Sequence, residues 1–90
     1  MATFAPELQA LERLVEYLAK RLVNEPDKVE VRPSEFEDDT LELIVAQEDI
    51  GKVIGKQGKM IRALRLVVNA AAGKLDAQVG LEVAEAPLSE

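Results

Sequence analysis

Through the first quarter of the chain, apolar residues recur at three- and four-residue steps: Leu8, Leu11, Leu14, Val15, Leu18 and Leu22, with Glu12, Glu16, Lys20 and Arg21 on the other side. This spacing predicts an amphipathic helix over 7–23. Asn24 and Pro26 stop it, because Asn tolerates a left-handed cap and Pro disfavours helix in the residue before it. From Lys28 to Arg32 the polarity alternates with period two, and Leu41 to Ala46 form a short β-rich run. Two strands are expected, the second more buried. Between them, Pro33 to Thr40 has turn chemistry and holds Glu35, Glu37, Asp38 and Asp39, which predicts an exposed connection.

Asp49, preceded by Gln47 and Glu48, is placed to cap a brief helix that carries Ile50, Val53 and Ile54 and stops at Gly55. Gly51 would let that helix pack closely. After Gly58 the pattern is again helical from Lys59 to Ala72, with Met60, Ile61, Leu64, Val67, Val68 and Ala71 on one arc and Gly73 placed to end it. A last strand over 78–83 turns Val79, Leu81 and Val83 inward, with Gly80 marking a bulge in preference to a ligand approach. The predicted order is α-β-β-α-α-β, an α+β domain spanning 1–85 with a flexible tail at 86–90, and ninety residues leave room for one modest core.

Composition changes this picture little until charge is mapped along the chain. The chain is 48% apolar and 31% charged, as expected of a chain that folds unaided. It has no Cys or His, so it offers no thiolate or imidazole for a metal, a nucleophile or a general base, and no cofactor is expected. Glu48 and Asp49 read as helix-start charges and not as an acid–base pair. The start has no leader pattern and no apolar run is long enough to cross a bilayer, so a cytoplasmic protein without a membrane partner is expected. The net charge of −6 at first opposes nucleic-acid binding. Residues 50–75, however, hold Lys52, Lys56, Lys59, Arg62, Arg65 and Lys74 without one acid, so this block carries +6 and the remainder −12. A local basic field can hold a polyanion while the acidic remainder suppresses indiscriminate adhesion.

Within that block, Gly55-Lys56-Gln57-Gly58 separates two helices. Glycine at each end permits positive φ and close approach of a ligand. The following helix presents unpaired N-terminal amides and the positive end of its dipole, with Lys56 and Lys59 beside them and Lys52 one turn earlier. A phosphodiester backbone fits such a clamp. A P-loop is excluded by spacing, since GxxxxGK[ST] is absent, and so is the GxGxxG of a dinucleotide fold.

The run Val53-Ile54-Gly55-Lys56-Gln57-Gly58-Lys59-Met60-Ile61 resembles the VIGxxGxxI signature of KH domains, whose GXXG loop grips about four nucleotides. The element order resembles the type II form of that fold, and a short chain centred on Ala46 to Gly58 is similar to the small bacterial KhpA-type (YlqC-like) RNA-binding family. The resemblance covers nearly the whole chain. It implies a three-stranded sheet packed by helices on one face. It also implies RNA contacts from Gly55, Lys56, Gln57 and Gly58, flanked by Lys52, Lys59 and Arg62. Val53, Ile54 and Ile61 would line or support an apolar groove, although helical spacing also places Ile54 and Ile61 in the core. The expected ligand is single-stranded RNA bound with low sequence specificity. Phe4, Tyr17 and Phe36 are the aromatics, none near the loop, so stacking worth about 1–3 kcal/mol per base is largely missing. The acidic stretch 34–40 would repel phosphate if it folded over the loop.

A second apolar strip, Leu66 with Ala63 and Ala70, falls away from the core arc. It reads either as ordinary surface or as a partner interface. The resemblance implies self-association, as a homodimer, or pairing with a larger KH-containing protein, acting together as an RNA chaperone or post-transcriptional regulator. The alternative is a protein-interaction module with little RNA binding of its own.

Overall fold

The computed structural model describes residues 6–73 and 79–86. They form α1 (Pro6–Leu22), β1 (Glu30–Pro33), β2 (Thr40–Val45), α2 (Ile50–Ile54), α3 (Lys59–Gly73) and β3 (Gly80–Glu85), with 3-10 turns at Pro26–Lys28, Gln47–Asp49 and Lys56–Gly58. The α-β-β-α-α-β order is the expected one. β1 pairs antiparallel with β2, and β2 pairs parallel with β3, so β2 is the central strand. A parallel pair cannot be joined by a hairpin and requires a crossover. Here α2 and α3 supply it, which fixes the link between them relative to the sheet.

Register explains why β2 is the most buried strand. Leu41, Leu43 and Val45 share one face with Val31, Leu81 and Val83, and this face meets the helices. The core comprises Leu11, Val15 and Ala19 of α1, these β2 residues, Val53 of α2, Ile61, Leu64, Val68 and Ala72 of α3, and Val29, Val79 and Leu81. Burying each large aliphatic side chain contributes about 1.5–3 kcal/mol. The opposite face carries the Arg32–Glu42 ion pair at 3.0 Å. It also carries Glu82, whose pKa is raised, first by a hydrogen bond with Glu37. The acidic connection after β1 therefore leans onto the outer face of the sheet.

Several local expectations are corrected. Lys28 lies in a 3-10 turn and the first strand starts at Glu30. The core stripe of α3 runs Ile61, Leu64, Val68, Ala72 and leaves Val67 42% exposed, because steps of three and four track one face more narrowly than the predicted arc. Gly51 has nothing within 4 Å of a built Cβ, so it is not there for packing. Gly80 marks no bulge: it sits in register opposite Thr40, and a Cβ there would come within 2.9 Å of the Thr40 hydroxyl. Gln78 and most of the predicted tail, 87–90, lie outside the described residues. Ala86, assigned to that tail, donates its amide to the Val45 carbonyl at 2.7 Å.

Asp49 is the most consequential correction. It makes no cap hydrogen bond to α2. Its carboxylate is fully buried and accepts from the backbone amides of Asn24 at 3.1 Å and Glu25 at 3.0 Å, while the Lys52 ammonium stands 3.7 Å away. The chain leaving α1 is thereby tied to the residue that opens α2. Burial pushes the Asp49 pKa up, but the two amide bonds and Lys52 outweigh it and hold the group below its ordinary value. A depressed folded pKa stabilises the fold at pH values above the unfolded pKa, and that stability drains away as pH falls through the folded one. Asp49→Asn keeps the shape but turns a donor toward donors. It should lower Tm by roughly 10 °C at pH 7 and flatten the acid limb of the stability profile, read by thermal melts between about pH 2 and pH 7.

Candidate nucleic-acid interface

The link between α2 and α3 is built from backbone conformations that side-chain-bearing residues avoid. Gly55 has φ 79° and ψ 172°, Gln57 lies in the left-handed region at φ 55°, and Gly58 has φ 74°. A Cβ on Gly55 would stand 2.7 Å from Met60 Cβ and 2.8 Å from Met60 N, so glycine is required there by both conformation and space. The Gly55 amide closes α2 onto the Gly51 carbonyl at 2.8 Å, and the Gly58 amide returns to the Gly55 carbonyl at 3.1 Å. The Lys59 amide donates to the Lys56 carbonyl. The turn's own bonds thus use the amides of Gly58 and Lys59 and not those of Lys56 and Gln57, whose residues are both exposed.

Three cations surround this turn. Lys56 and Lys59 are exposed, and Arg62, one turn into α3, folds back so that its Nη1 lies 3.5 Å from where a Gly58 Cβ would stand. Among the described residues none of the three is in a salt bridge. The positive end of the fifteen-residue α3 adds to their field. Two members of the basic block are committed elsewhere. Lys52 faces Asp49, and Arg65 donates from Nε to the Leu81 carbonyl at 3.0 Å, on the β3 side of α3. Lys74 lies outside the described residues.

Of the predicted groove residues, Val53 and Ile61 are buried in the core, Val53 completely. They support the turn from below and do not line a surface. Ile54 is half-buried and packs against the core, as does Met60. The acidic connection does not cover the turn. Asp38, Asp39 and Thr40 line an open depression of about 360 Å³ together with Asn69, Val79 and Gly80. Asn69 is ten residues along α3 from Lys59, a distance of ~15 Å at 1.5 Å per residue. Leu66, 72% exposed, shares the solvent side of α3 with exposed Ala63, Val67 and Ala70.

Sequence reasoning missed the role of Asp49. The signal was present: Asp49 is four residues before Val53, so a helical continuation puts it on the buried side, where a carboxylate needs donors.

A glycine-flanked cationic turn between two helices that cross over to a parallel strand defines a KH domain. A family model for the KH domain of KhpA/KhpB matches residues 12–83. The chain belongs to this family. A Clostridium acetobutylicum RNA-binding protein KhpA is 47% identical over 74 residues, covering 81% of this chain and 99% of that protein. An Aquifex aeolicus RNA-binding protein KhpA is 44% identical over 79 residues, covering 87% and 100%. The fold is also similar to part of Era. Aquifex aeolicus Era bound to GDP·AlF4− matches with a TM-score of 0.53 at 23% identity, over 94% of this chain and 33% of that one. Era in complex with a guanine nucleotide and nucleotides 1506–1542 of 16S ribosomal RNA matches with a TM-score of 0.54 at 23% identity, over 94% and 32%. The chain therefore corresponds to about a third of Era.

The two loop glycines are predicted to differ in tolerance. Gly58→Ala meets only the tip of Arg62 and should cost about 1–2 kcal/mol of left-handed strain. Gly55→Ala adds a backbone clash and should cost more than about 3 kcal/mol. Urea melts of the two variants measure the gap.

Proposed function

We propose that the protein binds single-stranded RNA through the sugar–phosphate backbone, with the Gly55–Gly58 turn as the clamp. The observation that carries this reading is the coincidence, at one end of α3, of two glycines at positive φ with Lys56, Lys59 and Arg62 in no salt bridge among the described residues. Family membership supports it, since the relatives are named RNA-binding proteins. Lys56 and Gln57 stand outermost, Lys59 and Arg62 supply charge, and Gly58 lets a phosphate approach without a Cβ in the way. Lys52 contributes through Asp49, and Val53 and Ile54 hold the turn to the core. Sequence discrimination is weak, because among the described residues no aromatic side chain flanks the turn and stacking is the term that such a site lacks. The role in the cell that fits a small, low-specificity binder is an RNA chaperone or post-transcriptional regulator in the cytoplasm.

A protein partner is favoured by one observation. The solvent side of α3 changes from cationic at Lys59 and Arg62 to apolar at Ala63, Leu66, Val67 and Ala70, with Leu66 72% exposed. This strip serves a homodimer or a larger KH-containing partner, which supplies a second RNA site and raises a weak affinity through effective concentration.

Lys56→Asp with Gln57→Asp inverts the local charge, and Asp tolerates the left-handed conformation at position 57. Circular dichroism should be unchanged and crosslinking to cellular RNA lost; retained crosslinking places the site elsewhere. Leu66→Glu should shift the sedimentation coefficient to that of a monomer with RNA crosslinking of the loop intact, and an unchanged mass removes the strip from self-association.

A further inference from the structure

Outside the basic block the chain has five cations, Arg13, Lys20, Arg21, Lys28 and Arg32. Two of them are spent on acids of their own surroundings: Lys28 faces Glu25 at 3.8 Å and Arg32 binds Glu42 at 3.0 Å. The other three lie on α1. At 100° per residue, Arg13, Tyr17, Lys20 and Arg21 fall within an arc of about 100°, opposite the Leu11–Val15–Ala19 stripe that enters the core. All four are exposed and no carboxylate lies within the arc. Glu16 sits at its flank and binds Lys20 at 2.9 Å, whereas Arg13 and Arg21 are in no salt bridge among the described residues.

The aromatic in this strip is organised. The Arg21 guanidinium lies over the Tyr17 ring, 5.0 Å from its centroid, and Nη2 donates to the Tyr17 hydroxyl at 3.0 Å. Tyr17 remains 57% exposed. A fixed guanidinium–phenol pair flanked by further cations offers what the loop lacks, a flat surface on which a base can stack beside charges that take phosphates. The strip also ends near the loop. Arg21 is one turn before Asn24, whose amide is bound by Asp49, and Asp49 opens the five-residue α2 that leads into Gly55. One helical turn, the 3.1 Å bond between Asn24 and Asp49 and the length of α2 together trace a path of ~16 Å.

The geometry points to a second RNA contact on α1, in which Arg13, Lys20 and Arg21 take phosphates and the Tyr17–Arg21 pair stacks a base, extending the track of a strand held at the Gly55–Gly58 turn. This rests on the RNA-binding reading. It assigns the strip to single-stranded RNA and not to an acidic protein, because a base-sized planar surface accompanies the charge.

Tyr17 is the single tyrosine and the chain has no tryptophan, so intrinsic fluorescence reports on this strip alone. Oligouridylates of about four and about sixteen nucleotides span the loop's footprint and a longer track. With the intact protein, the longer strand should quench Tyr17 and bind more tightly, while the shorter should bind without quenching. Arg13→Gln with Arg21→Gln should weaken the longer strand about tenfold, lower the slope of log affinity against log salt by about 1.4, and leave the shorter strand unchanged. Equal binding of both strands by intact protein and variant, with Tyr17 fluorescence unmoved, overturns the strip and leaves the loop reading standing. Failure of the intact protein to bind either strand overturns both. Quenching by the longer strand that survives Lys56→Asp with Gln57→Asp supports the strip and overturns the loop.

Discussion

Three segments of this chain are organised by one buried carboxylate. Asp49 bonds the amides of Asn24 and Glu25 and faces Lys52, joining the exit of α1, the 3-10 turn after β2 and the start of α2. α2 has only five residues, too few to be stable alone, and its position follows from Val53 in the core and from Asp49 one turn earlier on the same buried side. The glycine turn begins at the end of that short helix, so the angle at which it meets solvent depends on an ion held at zero exposure. A buried carboxylate with a backbone amide on each oxygen is a demanding device, because moving either donor away leaves a charge uncompensated in the interior.

The second constraint is the parallel pairing of β2 with β3. Because the chain must cross from one end of the sheet to the other, the helix that returns it separates two regions of opposite charge. Lys56, Lys59 and Arg62 gather at one end of α3. Glu37, Asp38 and Asp39 gather near the other and on the outer sheet face, where Glu37 lies beside Glu82 and raises its pKa. A protein of net charge −6 can in this way present a local cationic surface.

Much of this was legible in the sequence, for reasons that differ between elements. The long helices declare themselves because Leu11, Val15 and Leu18, and later Ile61, Leu64 and Val68, repeat with the helical period. The turn declares itself through Gly55 and Gly58, whose φ values only glycine adopts without strain. β2 was recognisable as the more buried strand, since five of the six residues from Leu41 to Ala46 are apolar. What escaped were properties that arise only when distant segments meet. Asp49 looks like a helix cap until the amides of residues 24 and 25 arrive. Gly80 looks like a bulge until Thr40 is placed beside it. Arg65 counts toward a basic patch until its guanidinium reaches the Leu81 carbonyl, and the acidic connection threatens the turn until the crossover sends it to the far end.

That separation bears on how a polyanion finds the protein. The two charged ends of α3 stand ~15 Å apart, nearly twice the Debye length of ~8 Å at physiological ionic strength. In very dilute salt an approaching strand senses the whole molecule and is repelled. With physiological ions present, the distant acids are screened and the strand senses only the end it is approaching. If the proposed site is the one used, the protein meets its ligand in a preferred orientation, and a moderate amount of salt helps the first encounter before further salt weakens the grip.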